Sequence, residues 1–474
     1  MSLPAVNLGY LATMFTMTLK EIQDATKAKL IGSVSNAGSD LVVHGVNTDS
    51  RTIKEGELFV ALKGENYDAH NFIAHAKDRG AAAYLLEHEV EQVKPALIVD
   101  DTRVSFGQLA KAWRNKYDYP VVAVTGSNGK TTVKEMLFSI LSTQGNVLAT
   151  KGNFNNDIGV PITLFRMTSA HDSAVIEMGA NHSAEISNLT SLVSPDVAII
   201  TNAAAAHLEG FGSIDGVARA KGEIFEGLSE SGTAIINYDD SHYAYWKQLV
   251  GNKKIISFGS DCNADVSFDV SENNNLSIKV KGCEDFDLKL PLLGRHNLMN
   301  ALAAIAAAVA LNVDLKSIKQ GLESIQAVPG RLVQNQGVNN SIVIDDTYNA
   351  NPASLSAAIE SMQCFSGTYH VVLGDMGELG KNSIDIHKNV AKSVKEGNVK
   401  YLYTIGEYSH YTSDEFGENA EHFSSQQELV NQLVKNINQN DVVLVKGSRS
   451  MHMERVVEAL CAVTSKNEQE PEVR

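Results

Sequence analysis

The chain has 474 residues, 43% hydrophobic and 20% charged. That is an ordinary folding composition, about three times the length of a ~150-residue domain, and with 35 glycines and 9 prolines it excludes collagen-like and largely disordered chains. Forty Lys and Arg against 56 Asp and Glu give a net charge of −16, which excludes a general attraction to nucleic acid or an anionic membrane, so an anionic ligand has to be held by a few placed groups.

The first 20 residues carry no basic residue before Lys20 and no cleavage site of the secretory kind, so no signal peptide is expected. The longest apolar run, 301–311, is well short of the ~20 residues that a membrane helix needs. Cys262, Cys283, Cys364 and Cys461 form no CxxC pair, against a disulfide framework or a zinc site. A cytoplasmic protein without membrane insertion is expected.

Short β-rich runs alternate with helical patterns along the chain, which predicts an α/β fold built on parallel sheets. Up to about residue 100 the order is a helix near 19–30, the runs VVHGVNTDS and ELFVALKG, a helix around 71–79 and the strand AAAYLLE. A helix near 106–117 leads to Pro120. The second section opens with VVAVTGSNGKTTVKEMLFSIL, a buried strand, a glycine-rich turn and a helix with Val133, Met136, Leu137, Ile140 and Leu141 at i, i+3, i+4, i+7, i+8. It continues through SAVIEMG and DVAIITN to an alanine-rich helix after Gly294. A break falls at VPGR, 328–331. SIVIDD, YHVVLGD, YLYTIGE and DVVLVKG then alternate with helices in a second doubly wound pattern. Boundaries at 1–103, 104–328 and 329–474 follow.

Glycines in 126–129 let backbone N–H groups approach a phosphate, and the following helix N-terminus favours negative charge. Lys130 would reach the β- and γ-phosphates, and the Thr131 hydroxyl would ligate Mg²⁺. The usual GxxxxGK[ST] pattern needs glycine at 124, where this chain has Val124. Glu177 ends the apolar strand AVIEM at the carboxyl edge of a parallel sheet, where ligands of such sheets bind.

The shortened loop TGSNGKTT resembles that of the Mur ligase and folylpolyglutamate synthetase superfamily, whose members join an amine to a carboxylate using ATP. GNFNNDIGVP, EMG, NAAAAHLEGFGS, ARAKGEIF, GRHNLMNALAA and DDTYNANP are similar to Mur ligase motifs. DSR at 49–51 with LFVALKGENYDAHNF resembles the family's uridine-nucleotide-binding domain, which folylpolyglutamate synthetases lack. The resemblance implies three domains: a small α/β uridine-binding domain, a central phosphate-loop domain and a C-terminal Rossmann-like domain. DDTYNANPASL, LGDMGELG and KGSRSMHMER resemble the branch that adds D-alanyl-D-alanine to UDP-N-acetylmuramoyl-tripeptide. The branch that adds diaminopimelate or lysine carries different segments there. A non-catalytic nucleotide-binding protein is the alternative from another class; a guanine-nucleotide switch is disfavoured by the lack of an NKxD motif.

Carried over by motif position, the resemblance implies Lys130, Glu177, His207 and Lys221 as catalytic residues. Thr131, Glu177, His207 and Lys221 are implied around Mg²⁺, with Lys221 carbamylated. ATP contacts are expected from Gly126, Ser127, Asn128, Gly129, Lys130, Thr131 and Thr132, from His296, Asn297 and Asn300, and from Arg331 and Asp346 of the third section. Substrate contacts are expected from Ser50, Arg51 and Lys63, from Asn155, Asn156 and Asp157, and from Tyr348 and Asn349 toward the dipeptide. A monomer acting on small molecules is implied.

Overall fold

In a computed structural model, residues 15–467 are described except 33–40, 65–66, 92, 206–207 and 271–275. Among them the strands form three larger sheets and one short two-stranded ribbon, each larger sheet at the centre of an α/β unit. No helix among the described residues is long and apolar enough to cross a membrane.

The central sheet has nine strands. Its core is Val121–Thr125 flanked in parallel by Ser173–Glu177 and Val197–Ile200, all wholly buried. Apolar β-branched residues fit such strands because both faces of a parallel sheet are covered by helices. The chain reverses its winding direction at Val121–Thr125, so the loops after the three strands open into one crevice. The helix Lys130–Leu141 buries Val133, Met136, Leu137, Ile140 and Leu141, the stripe expected from their spacing, against the helix Arg295–Ala310. Alanines there let the two helices approach closely. Val266–Val270 and Leu276–Val280 pair antiparallel at the far edge, a hairpin not expected from the sequence.

The third unit is a six-stranded sheet in the order Val333–Gln336, Ile342–Asp346, Val442–Lys446, Tyr369–Gly374, Tyr401–Ile405, Ala420–Phe423. All its pairs are parallel except the first. The register sets Asp346 beside Lys446 at the carboxyl edge. In the first unit, Lys29–Ile31, Ala96–Ile98, Ala83–Leu86, Leu58–Val60 and Val46–Asn47 form a five-stranded sheet.

Two helices depart from expectation. The first covers only Leu19–Thr26, fixed by a Thr18/Glu21 capping box and ended by left-handed Lys27, after which Lys29–Ile31 pairs into the sheet. The helix expected near 106–117 is Thr102–Arg114, begun early because the Asp101 carboxylate accepts from the Arg103 and Val104 N–H groups.

Candidate active site

The loop at 126–129 is shaped by backbone demands. Gly126 (φ 148°) and Gly129 (φ 84°) occupy conformations that other residues avoid. A Cβ at Gly126 would lie 1.9 Å from Thr201 Oγ1, and one at Gly129 2.2 Å from Asn300 Oδ1. The loop is braced from the strand next door. Asn128 N–H donates to Asn202 Oδ1 at 3.0 Å, Thr201 Oγ1 donates to Asn128 O at 2.6 Å, and Ser127 Oγ accepts from Ala204 N–H at 2.9 Å. These bonds prearrange the loop for an anion instead of leaving it to order on binding.

Lys130 Nζ donates to Gly126 O at 2.7 Å and Ser127 O at 3.3 Å. Burial holds its pKa below the ordinary lysine value; Glu177 and Glu378 draw it upward and Arg331 pushes it down. Opposite lies Glu177, 2% exposed. Its N–H donates to Thr150 Oγ1 at 2.9 Å and its Oε1 accepts from Asn155 Nδ2 at 2.9 Å. Glu177 Oε2 is buried with no hydrogen-bond partner, an orphaned anionic oxygen of the kind that a hard cation satisfies. Lys134, buried beneath the loop, donates to Thr150 O at 2.8 Å, so the phosphate helix and the strand bearing Glu177 are cross-braced.

The third unit closes the site. Arg331 Nη2 donates to Thr131 Oγ1 at 3.1 Å, its guanidinium lies 4.1 Å from the Tyr348 ring centroid, and its Nε is buried without a partner. Asn351 Nδ2 donates to Asn128 Oδ1 at 2.9 Å. Lys446 Nζ contacts Asp346 Oδ2 directly and donates to Asn349 O at 3.0 Å. Together the two units enclose a cavity of about 680 Å³.

Ser127 to Thr132, Asn155, Asn156, Glu177, His296, Asn297, Asn300, Arg331, Asp346, Tyr348 and Asn349 all line it. Asn297 and Asn300 form a chain in which Asn300 Nδ2 donates to Asn297 Oδ1 at 3.1 Å and Asn297 Nδ2 to Leu293 O at 2.7 Å. Burial lowers the His296 pKa, with Asp346 opposing and Lys446 adding to that effect. Other expected residues lie elsewhere. Gly126 is off the lining, its carbonyl accepting from Lys130 Nζ. Asp157 is ion-paired with Arg103 of the Thr102–Arg114 helix, Oδ1 accepting from Nη2 at 2.8 Å, outside the cavity lining. Lys221 is 1% exposed and stands 5.4 Å from the Phe211 ring centroid, also off the lining. His207 lies outside the described residues.

Ser50, Arg51 and Lys63 belong to the first unit and do not reach this cavity's wall. Ser50 is buried with Oγ 3.1 Å from His75 Nδ1. Arg51 is exposed and forked onto Asp49, at 3.0 Å from Nε and 2.8 Å from Nη2. Lys63 is exposed and bridges by backbone to Asp68. Thr201, Asn202, Asn351, Glu378 and Lys446 were not singled out from the sequence. Lys446 did sit in the quoted KGSR segment, but its pairing with Asp346 depends on a strand order that no local pattern encodes.

Fold and cavity together define a class: a phosphate-loop protein whose nucleotide site, at a switch point of one parallel sheet, is completed by side chains from a second α/β unit. Family models for the Mur ligase family catalytic domain, the Mur ligase middle domain and the Mur ligase glutamate ligase domain match residues 42–114, 124–308 and 330–449. The UDP-N-acetylmuramoyl-tripeptide–D-alanyl-D-alanine ligase of Escherichia coli K12 is 44% identical over 458 residues, covering 94% of this chain and 99% of that protein. The Bacillus subtilis ligase of the same name is 34% identical, with 94% and 99% covered. A crystal structure of MurF from Acinetobacter baumannii superposes with a TM-score of 0.88 at 36% identity, over 95% of this chain and 100% of that one. MurF ligase from Thermotoga maritima in complex with ADP gives 0.79 at 26%, with 89% and 98% covered. The chain belongs to the Mur ligase family.

Proposed function

We infer that this protein joins D-alanyl-D-alanine to UDP-N-acetylmuramoyl-tripeptide, converting ATP to ADP and phosphate and forming the pentapeptide precursor of peptidoglycan. The observation that carries the reading is full-length similarity to ligases of that name, in a chain whose phosphate loop is met by Arg331 of the third unit. We assign the three domains to 1–103, 104–328 and 329–474. A cytoplasmic monomer is the reading that the family resemblance implies.

A carboxylate is a poor acyl donor, so the tripeptide's terminal carboxylate first attacks the γ-phosphate, giving an acyl phosphate and ADP. The dipeptide amine then attacks the acyl carbon and phosphate departs. Negative charge gathers on phosphoryl oxygens throughout, and positioning with electrostatic stabilisation is most of the catalysis in such transfers. Lys130 and the N–H groups of Gly129 to Thr132 hold the phosphates, and Arg331 adds a second cation from the other domain. Asn297, Asn300 and His296 face the base. Asp346, fixed by Lys446, faces the ribose. Asn155 and Asn156 offer amides to the sugar-peptide portion, with Asp157 near its entrance beside Arg103, and Tyr348 and Asn349 face the dipeptide. Because the walls come from two domains, water is excluded only when they meet, which protects the acyl phosphate.

The oxygen donors fit Mg²⁺: the Thr131 hydroxyl and the orphaned Glu177 Oε2 would hold it, joined by His207 and by Lys221 as its carbamate. Bound there, the ion would neutralise phosphoryl charge. Burial, with the charge of Lys130, lowers the Lys221 pKa to about 7, against opposing Glu185 and Glu223. A neutral lysine of this kind adds CO₂ to give an anionic carbamate and one proton, reversing the local charge.

The test is ADP release, expected to require both UDP-N-acetylmuramoyl-tripeptide and D-alanyl-D-alanine. Release without the dipeptide, or supported by diaminopimelate and the UDP-dipeptide instead, overturns the reading. The first domain governs uridine affinity, so Arg51→Ala should raise KM for the UDP-tripeptide with kcat little changed, the mark of lost uniform binding. A collapsed kcat at unchanged KM excludes that role.

A further inference from the structure

Arg331 is the cation that the third unit brings to the phosphate loop, and its long side chain has to arrive there in one orientation. Among the described residues its guanidinium makes one hydrogen bond, from Nη2 to Thr131 Oγ1 at 3.1 Å, while Nε is buried without a partner. Thr131 Oγ1 is also the oxygen assigned above to Mg²⁺. A hydrogen bond to a group that the loaded site engages does not by itself aim the arginine, and every rotamer left open has to be given up on binding.

What fixes the arginine lies within its own unit. The antiparallel register sets Val333 opposite Asp345, which brings the residues before one strand, Gly330 and Arg331, beside those after the other, Thr347 and Tyr348. Asp345 ties this corner together. Its Oδ2 accepts from Gly330 N–H at 3.2 Å, and its Oδ1 accepts from Thr347 N–H at 3.2 Å and from Thr347 Oγ1 at 2.6 Å. Tyr348 N–H donates to Gly330 O at 3.1 Å. The Tyr348 ring centroid then lies 4.1 Å from the central carbon of the Arg331 guanidinium, a separation at which the ring's negative face attracts the cation. Both side chains line the cavity.

The type of contact matters to the chemistry. A carboxylate in the ring's place would also hold the arginine, but it would occupy the N–H groups and cancel the charge that a phosphoryl group needs. An aromatic face does neither. The guanidinium keeps its charge, and its donors stay available to phosphoryl oxygens.

We propose that Tyr348 is the positioning residue of Arg331, its ring holding the guanidinium toward the phosphate loop with charge and donors uncommitted. Tyr348 thereby serves the nucleotide side of the cavity as well as the dipeptide side. The inference rests on the nucleotide site of the ligase reading above.

The test is calorimetric binding of adenylyl imidodiphosphate with Mg²⁺ to the full-length protein, with neither other substrate present, so that a residue serving only the dipeptide leaves the result unmoved. Tyr348→Leu should weaken binding ~3–10-fold, the range for losing a partly desolvated cation–π contact. Tyr348→Phe, which keeps the ring, should retain most of the affinity. Arg331→Gln should weaken binding ~10–100-fold, as for one charge-assisted hydrogen bond, and adding Tyr348→Leu to it should cost less than about twofold, because the ring then has no cation to hold. UDP-tripeptide affinity, set by the first domain, should persist in each variant and reports that it is folded. Unchanged affinity in Tyr348→Leu, an equal loss in Tyr348→Phe, or a full Tyr348→Leu loss in the Arg331→Gln background overturns the assignment. A wild type that binds no adenylyl imidodiphosphate fails the nucleotide reading itself, so the two failures are distinguishable.

Discussion

Lys130→Ala is expected to lower ATP-dependent ligation by ~10²–10³-fold, the cost of removing one preorganised group from a developing charge. The fold should survive, because the lysine is held by two loop carbonyls and the helix behind it is anchored by a separate apolar stripe. Binding of the UDP-tripeptide, measured by calorimetry, should be nearly unchanged, since Ser50, Arg51 and Lys63 lie in another domain. Wild-type turnover in this variant would refute the phosphate-loop assignment.

Lys221→Ala should be comparably damaging, with a loss of roughly 10²–10³-fold on the same grounds, and small carboxylates should partly reverse it. Formate or acetate can occupy the space left by the side chain and restore an anion there. Intact mass of gently handled wild-type protein should show one added carboxyl group that disappears on acidification. The pH sign follows from the lowered pKa. Carbamylation needs the neutral amine, and a pKa brought from 10.5 to about 7 makes that form rise as pH rises through 7. Reactivation of CO₂-stripped enzyme by bicarbonate should therefore slow below pH 7. A Lys221→Ala enzyme at full rate in CO₂-depleted buffer would refute the carbamate.

Local chemistry made the phosphate loop legible. A buried strand rich in valine, glycines that only a tight turn needs and a helix with a 3.6-residue stripe stand next to one another in 121–141, and each predicts its neighbour. The Leu19–Thr26 helix was overextended because Lys29–Ile31 is strand only by virtue of pairing with Ala96–Ile98, some 70 residues away. Lys446 escaped notice for a similar reason, since it acquires its partner through the register of two strands a hundred residues apart. The burial of Lys221 was equally hidden: ARAKGEIF reads as an amphipathic helix with its lysine reaching water, whereas the side chain is 1% exposed and stands over the Phe211 ring. Arg331 and Asp346 were identified through family resemblance, since nothing around VPGR or SIVIDD points across to another domain.

The two hydrogen bonds that tie the third domain to the loop, Arg331 to Thr131 and Asn351 to Asn128, use groups that nucleotide binding also engages. Affinity and interdomain cohesion thus draw on a shared free energy. By linkage, whatever factor the docked arrangement adds to nucleotide affinity is the factor by which nucleotide favours docking. A substitution that loosens the docking of the third unit can therefore weaken nucleotide binding without touching a phosphate contact, and a bound nucleotide acts as mortar between the two α/β units.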